Sequence, residues 1–203
     1  YDPVSDFSPI TAMDKSPLVL AAHPSLPVKT VQELIAHAKA QPATINYGSS
    51  ATGGPTHLAA ELFKSMAGVN IMHIPYKGTG PAATALLGGE VQLLFAAPVA
   101  VTPHVKSGKL AALAVTAAEP SALAPGLPTL AGSGVPGYEM VGTTAIFAPA
   151  RTPAAIIKRL NQEMVRFIKT AEAKEKLFAT AAEAVGSSPE ELAATVKADR
   201  NRL

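Results

Sequence analysis

The residues best suited to chemistry lie in Gly48-Ser49-Ser50-Ala51-Thr52-Gly53-Gly54-Pro55-Thr56-His57. Hydroxyls and glycines crowd the approach to a helix predicted over Pro55–Ala67, whose Leu58, Leu62, Phe63 and Met66 share one face. Other predicted helices open on Thr30, Thr152 and Ser188, whose hydroxyls can accept from the first free N–H groups. Glycine has no such acceptor, and it lets another molecule approach the backbone closely. A helix start with free N–H groups attracts anions, helped by the helix dipole. Ser49, Ser50, Thr52 and Thr56 add neutral donors, so the loop suits a carboxylate or another small anion. The plainer alternative is that Gly54 and Gly80 are simple caps with water on them. Tyr76-Lys77-Gly78-Thr79-Gly80-Pro81 is a second loop of the same kind, before a helix predicted over Pro81–Leu87. There Tyr76 offers a hydroxyl and a ring for a cleft wall, and Lys77 a charge.

Other chemistries find less support. No Gly-Lys-Ser/Thr follows the first loop, so it is not a phosphate-binding P-loop. Gly48-Ser49-Ser50-Ala51-Thr52 lacks the final glycine of a nucleophile elbow. His57 sits at a helix start, where packing or capping is the commoner role. His23, His37, His73 and His104 show no metal-ligand spacing, and with no cysteine there is neither a disulfide nor a thiolate site. We therefore expect no metal, no cofactor and no enzyme activity. Net charge is only +2 and no basic stripe is interleaved with aromatics, which gives nucleic-acid binding little support.

The elements that must position these loops alternate. Strands are predicted at Phe7–Met13, Pro17–His23, Thr44–Tyr47, Ile71–Ile74, Val91–Phe95, Leu110–Thr116 and Tyr138–Phe147. A capping-box helix is predicted over Thr30–Ala40, a long amphipathic helix after Thr152-Pro153, and a last helix from Ser188-Pro189-Glu190-Glu191. Glu119–Gly137, rich in Pro, Gly and Ser, reads as a surface connection. The order implies an α/β fold with substantial parallel pairing. With 203 residues, 48 % hydrophobic and 16 % charged, the chain can bury a core as one domain or two small lobes. Aromatics are only 5 %, which points to small-residue packing.

Several motifs in order resemble the Bug/TctC family, the extracytoplasmic solute receptors of bacterial tripartite tricarboxylate transporters. They are Tyr1-Asp2-Pro3-Val4…Asp6-Phe7-Ser8-Pro9-Ile10, Asn46-Tyr47-Gly48-Ser49-Ser50 with Gly53, Gly54, His57 and Leu58, and His73-Ile74-Pro75-Tyr76-Lys77-Gly78. Leu86-Leu87-Gly88-Gly89-Glu90-Val91, Ser107-Gly108-Lys109-Leu110 and Phe147-Ala148-Pro149-Ala150 continue the match. The resemblance implies an α/β, type II periplasmic-binding-protein fold, with two lobes and a ligand cleft. Residues 1–20 and 115–203 would form the first lobe, and residues 21–114 the second, carrying both loops. It implies a small carboxylate ligand (a di- or tricarboxylate, an amino acid or an aromatic acid) clamped by the loop matching Gly48–His57; with the second open helix start added, the expected ligand-binding residues are Ser49, Ser50, Thr52, Gly53, Gly54, Thr56, His57, Tyr76, Gly78, Thr79 and Gly80. Membrane transporter subunits would be the partners and the periplasm the location, with a signal peptide expected upstream of Tyr1.

Three departures stand out. The family's first strand and its P-F-x-x-G-G loop have no counterpart here, so the first lobe is expected to be incomplete and the chain to self-associate. Gly54-Pro55 stands where the family often has Ser, and Thr143-Thr144-Ala145 replaces its W-Y-G. A LysR-type effector domain, which shares a two-lobed fold, is the alternative.

Overall fold

The computed structural model describes residues 2 and 4–202. Tyr1 and Pro3 of the N-terminal motif, and Leu203 at the end of the expected first lobe, lie outside the described residues. The chain forms two compact units, Pro17–Val141 and the residues through Ser16 with those from Gly142 on.

The Pro17–Val141 unit is built on a sheet of β2 (Val19–Ala22), β3 (Asn46–Ser49), β4 (Met72–Pro75), β5 (Leu93–Ala96) and β6 (Ala111–Val115), after β1 (Phe7–Pro17). The strand order is β4-β3-β5-β2-β6. β3 runs parallel to β4 and β5, whereas β2 is antiparallel to β5 and β6. Both faces of the central strands are buried, which explains runs such as Val19-Leu20-Ala21-Ala22 and Leu93-Leu94-Phe95-Ala96. On one face Leu20, Leu93 and Phe95 meet α1 (Val31–Ala40) and α2 (Pro55–Ala67) through Leu34, Ala59, Ala60 and Phe63. On the other, Val19, Ala21 and Leu94 meet α3 (Thr79–Leu87) and α4 (Pro98–Lys106) through Ala82, Leu86 and Val101. Small alanines at these contacts let helix and sheet backbones approach closely.

Two features of this unit differ from the sequence expectation. First, the sequence places no helix between the strands at Val91–Phe95 and Leu110–Thr116, yet α4 lies there. Pro98 starts α4, at a position where its missing N–H costs nothing. Second, residues 116–141 pack here rather than with the first lobe. Val115 bridges Thr129 in parallel, and Leu130, Val135 and Tyr138 enter the α1/α2 core. The 17–141 unit therefore ends well beyond the expected residue 114.

Among the described residues, the other unit has a sheet in the order β7-β1-β8, with β7 at Val141–Pro149 and β8 at Glu183–Ala184. β1 pairs β8 antiparallel, with Asp14 opposite Ala184. Helices α5 (Ala154–Ile168), α6 (Ala171–Ala179) and α7 (Pro189–Arg202) follow β7. Asn161 on α5 donates to the carbonyls of Ile10 and Ser187, both at 2.8 Å, and so ties helix to sheet. Ile156, Phe167 and Phe178 are exposed. α5 is the expected long helix, and Thr170 opens α6 after it, its hydroxyl accepting from Ala173 N–H.

The capping expectations divide. Thr30 accepts from Glu33 N–H. Ser188 and Glu191 form a full reciprocal box, at 2.8 and 3.2 Å. Thr152 does not cap α5: Pro153 is the N-cap, and its carbonyl accepts from Ile156 and Ile157. Ser188→Ala is expected to cost about 1 kcal/mol, and Thr152→Ala less than about 0.5 kcal/mol. Urea unfolding of the two variants checks the contrast, and equal losses would contradict this assignment of caps.

Candidate functional site

Both loops lie at the carboxyl ends of parallel strands β3 and β4, where open α/β sheets place their ligands. β3 ends at Ser49, and the chain turns through Ala51–Gly54 into α2. Gly53 has φ +78°, a conformation suited to glycine. Gly54 is the N-cap and makes no side-chain cap bond, as expected. The second helix differs in detail. α3 begins at Thr79, not Pro81, because Gly78 at φ +113° takes the cap position. Gly80 consequently lies inside the first turn.

The loops are stitched together by main-chain bonds. Tyr76 N–H donates to Ser49 O at 2.9 Å, and Gly78 N–H to Ser50 O at 2.8 Å. α2 and α3 cover opposite faces of the sheet, and the loops that lead into them are joined by the Gly78–Ser50 bond.

The donor set is narrower than the sequence suggested. Ser50 N–H is taken by Thr56 Oγ1 at 2.9 Å, Gly53 N–H by His57 Nδ1 at 3.1 Å, and Gly54 N–H by Ala51 O at 3.2 Å. Ala82 N–H bonds Gly78 O. Among the described residues, the amides of Ala51, Thr52 and Thr56 and those of Thr79 and Gly80 donate to no acceptor. Ala51, Thr52, Thr79 and Gly80 are also exposed. Thr56 is buried, with its hydroxyl against Ser50 Oγ at 3.1 Å.

Two expected ligand donors are placed differently. Ser49 is 0 % exposed, and its hydroxyl lies 2.7 Å from His73 Nε2 beneath the loop. The Tyr76 hydroxyl donates to Glu90 at 3.4 Å. Its ring packs over Gly48, where an added Cβ would stand 3.5 Å from Tyr76 and 3.3 Å from Val91. Burial and the Glu90 charge both push the Tyr76 phenol up.

Beside the loop is a cluster of three rings that the sequence does not reveal. Tyr47 stacks on His73 with centroids 4.9 Å apart, and His73 faces His57 at 4.1 Å. Tyr47 donates to Glu61 Oε1 at 2.5 Å, and Lys64 Nζ holds the same oxygen at 2.7 Å. Burial pushes the Tyr47 phenol far up, and the Glu61 carboxylate adds to this. Burial also raises Glu61, but bonds from Lys64 and Tyr47 outweigh it and hold the carboxyl below its ordinary range. The His73 imidazole is held below its ordinary range by burial first and by His57 second. The signal was strand register: Tyr47 pairs His73 across β3 and β4, and Ser49 follows on the same face.

The arrangement can hold a small anion on main-chain amides with Thr52 beside it. Comparison with known proteins agrees with the fold. The family model described as the tripartite tricarboxylate transporter family receptor, TctC, matches residues 1–203. The chain belongs to this family. It is 35 % identical to Protein BugT of Bordetella pertussis over 94 % of the chain and 59 % of BugT. The structure described as R. palustris Rpa4515 with adipate is 38 % identical, with TM-score 0.81, over 100 % of this chain and 68 % of that one. MatC (Rpa3494) from Rhodopseudomonas palustris, with bound malate, is 27 % identical with TM-score 0.79, over 100 % of this chain and 70 % of that one. The chain thus spans about 60 % of the length of the curated relatives it matches. These relatives give the LysR-type alternative no support.

Proposed function

We propose that this chain carries the carboxylate-holding loops of a periplasmic receptor that hands a small carboxylate to a tripartite tricarboxylate transporter. The observation that carries the reading is the cluster of unengaged amides at Ala51, Thr52, Thr56, Thr79 and Gly80, at two helix starts without side-chain caps. Oriented N–H groups bind a carboxylate by charge-assisted hydrogen bonds. Adipate and malate, bound to the two Rhodopseudomonas relatives, are the natural first probes. The Thr52 hydroxyl would add one side-chain donor. Ser49, His57 and Tyr76 would shape the site rather than contact the ligand, and the ligand would leave chemically unchanged.

Calorimetry of the full-length protein against mono-, di- and tricarboxylates tests this. Saturable heat with a carboxylate, and recovery of the same molecule after denaturation, is the expected result. No heat across the whole panel would sink the reading.

A further inference from the structure

The three rings beside the loop each hold a different part of it or of its support. Tyr47 O–H reaches Glu61 on α2, His73 Nε2 meets the Ser49 hydroxyl at the loop base, and His57 Nδ1 accepts the Gly53 N–H at the loop tip. We propose that the Tyr47–His73–His57 cluster positions the Ser49–Thr56 loop, and that a proton on His57 Nδ1 releases its tip and weakens carboxylate binding. This rests on the carboxylate reading above and adds its regulation.

The chemistry follows from the acceptor role. Nδ1 of His57 can accept from Gly53 only while it carries no proton. Protonation turns it into a second donor facing a donor, so the Gly53 bond is lost. Gly53 then has no side-chain brace, and the neighbouring Ala51 and Thr52 amides lose their fixed direction. Imidazole is the side chain whose charge changes across the physiological pH range.

The groups facing His57 come from three elements. On α2, Glu61 favours the proton and Lys64 opposes it. On β4, His73 opposes it, because two charged imidazoles at 4.1 Å repel. On β3, Tyr47 is neutral and lies against both histidines, with centroids 4.9 Å from His73 and 6.4 Å from His57. His57 is the ring whose nitrogen braces the loop tip, whereas burial first and His57 second hold the His73 imidazole below its ordinary range.

The test uses malate as the probe and the full-length protein at about pH 8 and about pH 5.5, where carboxylates stay largely ionised. Wild type is expected to bind roughly fivefold or more weakly at the lower pH. His57→Asn keeps a carbonyl acceptor that does not titrate, so it should bind nearly as well as wild type at high pH and lose the pH dependence. His57→Ala should bind roughly tenfold more weakly at both values. Without ligand, hydrogen exchange at the Gly53 amide should lose protection at the lower pH in wild type alone. Equal or tighter wild-type binding at low pH, pH dependence persisting in His57→Asn, or unchanged Gly53 protection would each overturn the proposal. If malate and every other carboxylate fail to bind, the carboxylate reading fails, and Gly53 protection still decides whether His57 governs the loop.

Discussion

Thr56→Val is expected to weaken carboxylate binding about 10- to 100-fold while the protein stays folded. Thr56 is 6 % exposed, and its hydroxyl accepts the Ser50 N–H at 2.9 Å and meets Ser50 Oγ at 3.1 Å. Valine keeps the branched shape but removes the acceptor. Ser50 N–H is then left with no partner in a partly buried turn, at a cost of about 1–3 kcal/mol. The loop can relieve this only by turning the Ser50 amide outward. That motion pulls on the Ser50 carbonyl, which holds Gly78 at the start of α3. Both sets of ligand amides are thereby disturbed by one lost oxygen. Thr56→Ser restores the acceptor and should recover most of the affinity. Calorimetry with malate and a thermal melt of each variant read the two effects separately. Wild-type affinity in Thr56→Val would show that the Ser50–Thr56 bond does not position the site.

The part of this site visible in the sequence was the part made by local rules. Gly-Gly-Pro before an apolar helical period marks an uncapped helix start, and Gly54 is one. The second start was displaced by two residues because Gly78 and Gly80 look alike in sequence; only backbone conformation, φ +113° at Gly78, separates them. The ring cluster was not legible, because it depends on β3 and β4 being parallel and in register. Register is a long-range property, and it brings His73 from 24 residues away to Ser49. α4 has a start signal in Pro98 at a first helical position, but no cap residue precedes it. Pro103 lies inside the same helix, and tertiary packing of Val101 offsets its cost. Thr152 was read as a cap from its type alone, but the following Pro153 takes that position.

Tyr138→Ala is expected to remove about 3–5 kcal/mol from the stability of the Pro17–Val141 unit, the usual loss for truncating a large buried aromatic. Tyr138 closes the Pro- and Gly-rich stretch that composition marks as surface connection. Its side chain is 0 % exposed, and its hydroxyl donates to the Ala59 carbonyl on α2 at 2.8 Å. Leu130 and Val135 enter the same core ahead of it. Main-chain bonds then fasten the segment to β6, with Leu130 N–H on Val115 O and Met140 N–H on Thr116 O. Burial raises the Tyr138 phenol, so the ring stays neutral across the working pH range. Tyr138→Phe keeps the packing and loses one bond, a cost of about 1 kcal/mol. Most domains have only about 5–15 kcal/mol of stability, so the alanine variant should melt well below wild type. Because Tyr138 grips α2 one turn beyond Thr56 and His57, the loss should appear as faster amide exchange along α2. Exchange that instead quickened only from Gly142 onward would assign the 116–141 segment to the other unit. Tyr138→Phe, with α2 still held by the ring, should bind carboxylate like wild type, which separates support of the loop's helix from contact with the ligand.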